Sequence, residues 1–65
     1  MNLKEYDLEI YTDTVIKKAI SDYKNLCKIN ITYKNGKAYC IFKASRYPIN
    51  IVMNEFDNYL IELMQ

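Results

Sequence analysis

From Cys27 to Ser45, apolar and polar positions alternate on both sides of Asn35-Gly36. Asn-Gly between two alternating runs favours a two-residue type I′ turn, because both residues tolerate positive φ. Setting Lys34 opposite Lys37 predicts the pairs Tyr33–Ala38, Thr32–Tyr39, Ile31–Cys40, Asn30–Ile41, Ile29–Phe42, Lys28–Lys43 and Cys27–Ala44. Every second pair is apolar on both strands, so one face of the hairpin belongs to a core. The other face carries Lys28, Asn30, Thr32, Lys34, Lys37, Tyr39, Ile41, Lys43 and Ser45.

Residues 3–11 also alternate, with Tyr6, Leu8 and Ile10 on one side and Glu5, Asp7 and Glu9 on the other, as in a half-buried strand. Thr12 or Asp13 then caps a helix running to about Leu26. Its apolar positions Val15, Ile16, Ala19, Ile20, Tyr23 and Leu26 fall on one helical stripe, while Lys17, Lys18, Ser21, Asp22 and Lys24 face water. Residues 46–53 permit two readings. Ile49, Ile51 and Met53 alternate as a short extended piece, whereas a helix from Pro48 puts Ile49, Val52, Met53 and Phe56 on one face. The preferred reading starts the second helix later, with Asn54 as N-cap and Glu55 and Asp57 in a first turn where the helix dipole favours acids. Phe56, Tyr59, Leu60, Leu63 and Met64 then form one stripe.

The predicted order is β-α-β-β-α. A right-handed crossover makes strands 1 and 2 parallel. Placing strand 1 beside strand 3 brings Glu5, Asp7 and Glu9 near Lys37 and Lys43 and relieves the facing lysines of the hairpin. The resulting sheet order, 1-3-2, is a split βαβ arrangement: a ferredoxin-like fold without its last strand, in one small α+β domain over residues 1–65. Both helices cover one face, the opposite face is open, and strand 1 is an unpaired edge.

Charge and composition narrow the function classes. The net charge of +1 conceals blocks: residues 1–13 hold one base against four acids, residues 14–47 eight bases against Asp22, and residues 48–65 three acids. No apolar run approaches the roughly 20 residues of a membrane span, and the first residues do not read as a signal peptide, so a cytoplasmic location is expected. In the predicted register Cys27 lies opposite Ala44, four residues along from Cys40. At about 3.3 Å per residue that leaves roughly 13 Å between them, beyond disulfide reach. Both are expected as buried free thiols. Without His or a CxxC pair, no metal site or cofactor is expected.

The chain offers little to catalysis. It lacks His, its single Gly leaves no phosphate-cradling loop, and its two thiols are predicted buried without a base partner. The expectation is a protein that is not an enzyme. The edge of strand 1 is a stronger handle, because it can accept an extended peptide or a second copy, with Glu5, Asp7 and Glu9 selecting a basic or polar strand. Tyr39, Ile41 and Lys43 on the open face are candidate contacts for the same partner. They are also candidates for single-stranded nucleic acid, bound by phosphate attraction and base stacking.

The stretch Glu55-Phe56-Asp57-Asn58-Tyr59-Leu60-Ile61-Glu62 resembles the C-terminal signature of small HxsD-like proteins. Those belong to His-Xaa-Ser peptide maturation systems encoded with radical SAM enzymes. The family pattern runs two apolar residues, Asn-Asp, Tyr, any residue, Leu, Arg-Glu. Aligned on Tyr59, this chain reverses the Asn-Asp pair, carries Glu55 for the first apolar residue and Ile61 for Leu, and has Glu62 where Arg stands. The resemblance implies a non-catalytic accessory protein working with a peptide-modifying enzyme or its precursor peptide, with Asp57, Asn58 and Tyr59 as contacts. The expected function is therefore protein or peptide binding, with homodimer formation through strand 1 or the open face next in line.

Overall fold

A computed structural model describes residues 2–65. Five elements follow in the expected order: β1 (Leu3–Asp7), α1 (Asp13–Tyr23), β2 (Cys27–Lys34), β3 (Lys37–Ser45) and α2 (Ile49–Leu63). The sheet order is β1-β3-β2, with β3 antiparallel to both neighbours. Asn35 and Gly36 have φ of 52° and 75°, the paired positive values that a type I′ turn requires. That turn sets the predicted register from Lys34↔Lys37 to Ile29↔Phe42.

Beyond Ile29 the register departs from expectation. Cys27 pairs with Ser45, not Ala44, because Lys43 and Ala44 together oppose Lys28 in a β-bulge. The extra residue leaves Ala44 exposed to solvent, where the regular register put it opposite Cys27 on the core face. Ser45 arrives beside Cys27 and ends the strand, its hydroxyl donating to the Tyr47 carbonyl at 2.7 Å.

β1 is also shorter than the alternation predicts. The Asp7 carboxylate accepts the Glu9 N–H at 2.9 Å, and the Asp7 carbonyl accepts the N–H groups of Ile10 and Tyr11. This Asx turn ends the strand at Asp7 and leaves Ile10 64% exposed instead of in the core. α1 is capped by Thr12, whose hydroxyl accepts the Val15 N–H, and it ends at Tyr23, three residues before the expected end. Leu26 belongs to the turn into β2.

The second helix starts at Ile49, not Asn54, with Pro48 as N-cap. An N-cap side chain contributes about 1 kcal/mol, whereas burying Val52 alone contributes at least as much and Ile49 adds to it. Pro48 has no N–H to leave unpaired, and its carbonyl accepts from Ile51 and Val52. The longer helix therefore wins, and Val52 is buried.

Both helices pack on one face of the sheet around Phe56. Its ring meets Phe42 and Tyr23 edge-on at 5.2 and 5.3 Å and lies 6.2 Å from Tyr6. Ile16, Ala19, Cys40 and Leu60 complete the enclosed centre. Two layers make the molecule 16 Å thick, and among the described residues no element covers the second face of the sheet.

Candidate functional site

The free edge of β1 is defined by which way its backbone points. The Phe42 N–H donates to the Asn2 carbonyl at 2.8 Å, and the Leu8 N–H donates to the Gly36 carbonyl at 3.0 Å. Between these bonds the register is continuous, so Lys4 and Tyr6 direct their main-chain groups at β3. Strand alternation then turns those of Leu3, Glu5 and Asp7 away from the sheet. The Asp7 carbonyl is taken by the turn. The N–H and C=O of Leu3 and Glu5, with the Asp7 N–H, form an unpaired template about 13 Å long at the usual strand rise.

β2 is the second edge of the sheet. Lys34 and Lys37 close the hairpin, so Ile29, Ile31 and Tyr33 turn their backbones outward. Tyr33 is tied to α1: its hydroxyl donates to Asp13, and Lys17 Nζ lies 5.9 Å from its ring centroid.

On the open face, side chains fall into rows across the strands. Leu3, Ile41 and Asn30 form one row, Glu5, Tyr39 and Thr32 the next, and Asp7, Lys37 and Lys34 the third. Glu5 pairs diagonally with Lys37 at 3.4 Å, as the charge argument for the strand order anticipates. Tyr39 has a raised pKa, first from desolvation and then from the adjacent Glu5 carboxylate. The structure therefore brings Glu5, Tyr39 and Ile41 together. Asp7 borders the group with its carboxylate engaged in the turn. Glu9 lies in the exposed turn beyond the strand, and Lys43 is exposed at the bulge, so neither joins this cluster.

Asp57, Asn58 and Tyr59 lie on the other side of the sheet. Asp57 accepts the Tyr6 hydroxyl at 2.6 Å and the Lys4 ammonium at 2.9 Å, tying α2 to β1. Burial and the Asp57 carboxylate push the Tyr6 pKa well above the ordinary phenol range. The Tyr59 hydroxyl donates to Asp22 on α1, which also holds Lys18 at 3.1 Å. These bonds lower the Asp22 pKa, the Tyr59 hydroxyl first and Lys18 next, and Asp22 in turn raises that of Tyr59. Asn58 alone of the three is exposed. The nine predicted contact residues thus divide between opposite faces. The signal for the Asp57 latch was present in the sequence: Lys4 alternates onto the same face as Tyr6, and a lysine directed toward a core needs a carboxylate.

Both cysteines are unpaired and buried. Burial raises the Cys27 pKa, and burial followed by Asp57 pushes that of Cys40 up to about 11, so neither thiol is activated toward nucleophilic attack. Among the described residues, no cluster of three His, Cys, Asp or Glu side chains is placed to hold a metal ion, and no helix is long and apolar enough to cross a membrane. The fold and the exposed edge define an open-faced α+β domain of the split βαβ class. No family model, curated protein or solved structure matches the chain.

Proposed function

We propose that this protein is a non-catalytic binding module that takes up an extended segment of a protein or peptide along β1. The supporting observation is the unpaired backbone of Leu3 and Glu5, held rigid from behind by the ladder to β3 and the Asp57 latch. A strand added here gains main-chain hydrogen bonds without disturbing any existing pair. The acidic margin of Glu5 and Asp7 favours basic or polar partners and resists indiscriminate pairing. An accessory role beside a peptide-modifying enzyme, implied by the resemblance at residues 55–62, is compatible with this mode. Because Asp57 and Tyr59 are engaged within the fold, contact with such a partner falls to the edge and to exposed Asn58.

Glu5→Pro tests the reading. Proline at an outward-facing edge position removes the free N–H and leaves the ladder to β3 intact. Peptides selected on the wild type from a random display library should lose binding to Glu5→Pro while the variant keeps its circular dichroism spectrum. Retained binding by the folded variant would refute the edge mode. A second reading, single-stranded nucleic acid on the open face, draws on Tyr39 and on exposed Lys28, Lys34 and Lys43 spread along the hairpin, and predicts steep loss of binding with added salt.

A further inference from the structure

Asp57 reaches β1 from one flank of α2, and helical spacing places Met53, Ile61 and Met64 on that same flank, at i−4, i+4 and i+7 from it. Met53 is half-buried against the core, whereas Ile61 and Met64 are 46% and 38% exposed. These side chains form an apolar ledge on the flank of α2 from which Asp57 reaches Lys4 and Tyr6 of β1. On the opposite side of that edge lie Leu3, 44% exposed, and the acidic side chain of Glu5. The vacant position beside β1 thus has two chemically distinct walls.

Resting on edge binding at β1, we infer that the occupant is a strand of alternating apolar and basic residues. Its apolar side chains point toward α2 and cover Ile61 and Met64. Its basic side chains emerge on the open face, where Glu5 and Asp7 meet them. Period-two alternation is the pattern that satisfies both walls at once, since successive side chains of a strand fall on opposite faces. A wholly basic strand would set charges against the ledge, and a wholly apolar one would make no use of the acidic margin. A second copy of β1 paired antiparallel over its full length would set Glu5 against Glu5, so this edge disfavours that pairing.

Two blocked nine-residue peptides serve as probes: one alternates Val and Lys, and the other replaces every Val with Ser. Titrated into the isotopically labelled chain, the Val/Lys peptide should shift the Leu3 and Glu5 amides together with the Ile61 and Met64 methyls. It should bind about tenfold more tightly than the Ser/Lys peptide, the scale expected from covering two partly exposed apolar side chains. The double variant Ile61→Ser/Met64→Ser changes exposed positions and keeps the core intact. It should remove that tenfold advantage and leave Ser/Lys binding unchanged. Equal affinity for the two peptides, with Glu5 still shifting, would overturn the ledge and spare edge binding. Shifts confined to Ile29, Ile31 and Tyr33 on β2, or no shifts at all, would overturn both.

Discussion

Replacing Tyr6 with Phe removes one oxygen from a buried ring and isolates what the latch to α2 contributes. Tyr6 is 4% exposed, and its ring packs edge-on against Tyr11 at 5.2 Å and beside Phe56 at 6.2 Å, contacts that Phe preserves. What disappears is the 2.6 Å hydrogen bond to the Asp57 carboxylate. A hydrogen bond to a charged group is worth about 1.5–3 kcal/mol, and Asp57 keeps Lys4 and partial solvent contact, so the lower end of about 1.5 kcal/mol applies. Asp57→Ala should cost about 2 kcal/mol, because it leaves the Tyr6 hydroxyl buried without an acceptor. The double variant should then show a coupling of about 1 kcal/mol. A domain of 65 residues has only a few kcal/mol in hand, and Tyr6→Phe should lower Tm by roughly 6–12 °C. Urea unfolding of the four proteins in the cycle measures these quantities. Additive losses, or a Tyr6→Phe midpoint equal to wild type, would refute the claim that this hydrogen bond fastens α2 to β1.

Three further outcomes follow from the same geometry. Phe56→Ala empties the ring cluster at the centre of the core and should cost about 3–5 kcal/mol, enough to abolish the cooperative melt; an unchanged melt by circular dichroism would contradict the packing. Gly36→Ala should cost about 1 kcal/mol purely through positive φ, since a Cβ there meets nothing within 4 Å, and Gly36→Asn should cost less; equal stabilities would argue against the type I′ turn. The Cys40 pKa lies above its ordinary value of 9.0, at about 11, so its contribution to stability is complete below pH 9 and is lost between pH 9 and about 11. On the order of 2 kcal/mol should vanish across that window, with Tyr6 extending the loss to higher pH, and Cys40→Ala should flatten the decline; an identical slope in the variant would contradict it.

Local rules made the hairpin readable. Asn35-Gly36 allows one tight turn, and period-two alternation propagates its register without outside information for as long as the ladder is regular. The strand order was readable for a different reason. The acids of residues 5–9 and the lysines of β3 are complementary, and Glu5 meets Lys37 in the folded chain. Competition between local and tertiary terms was harder to read. Asp7 both continues an alternating pattern and supplies a turn carboxylate, and the turn prevails. Asn54 is a good cap, yet Ile49 and Val52 repay an earlier start through burial. The bulge at Lys43-Ala44 carries no glycine to mark it, so the pattern alone gave no warning. At the candidate site, the exposed edge and Glu5 followed from topology. The engagement of Asp57 and Tyr59 within the fold was less legible: Lys4 beside Tyr6 hinted at a buried carboxylate, but the partners Lys4, Tyr6 and Asp22 lie 37 or more positions away in the chain.

Amide hydrogen exchange along β1, with and without the Val/Lys peptide, bears most directly on the functional reading. In the free protein Lys4 and Tyr6 should exchange slowly, and Leu3 and Glu5 rapidly, since only the former pair donate to β3. Saturating peptide should slow the Glu5 amide strongly while leaving Lys4 and Tyr6 as they were. Slow exchange at Glu5 in the free protein, or rapid exchange that the peptide does not change, would contradict an open edge that receives a strand.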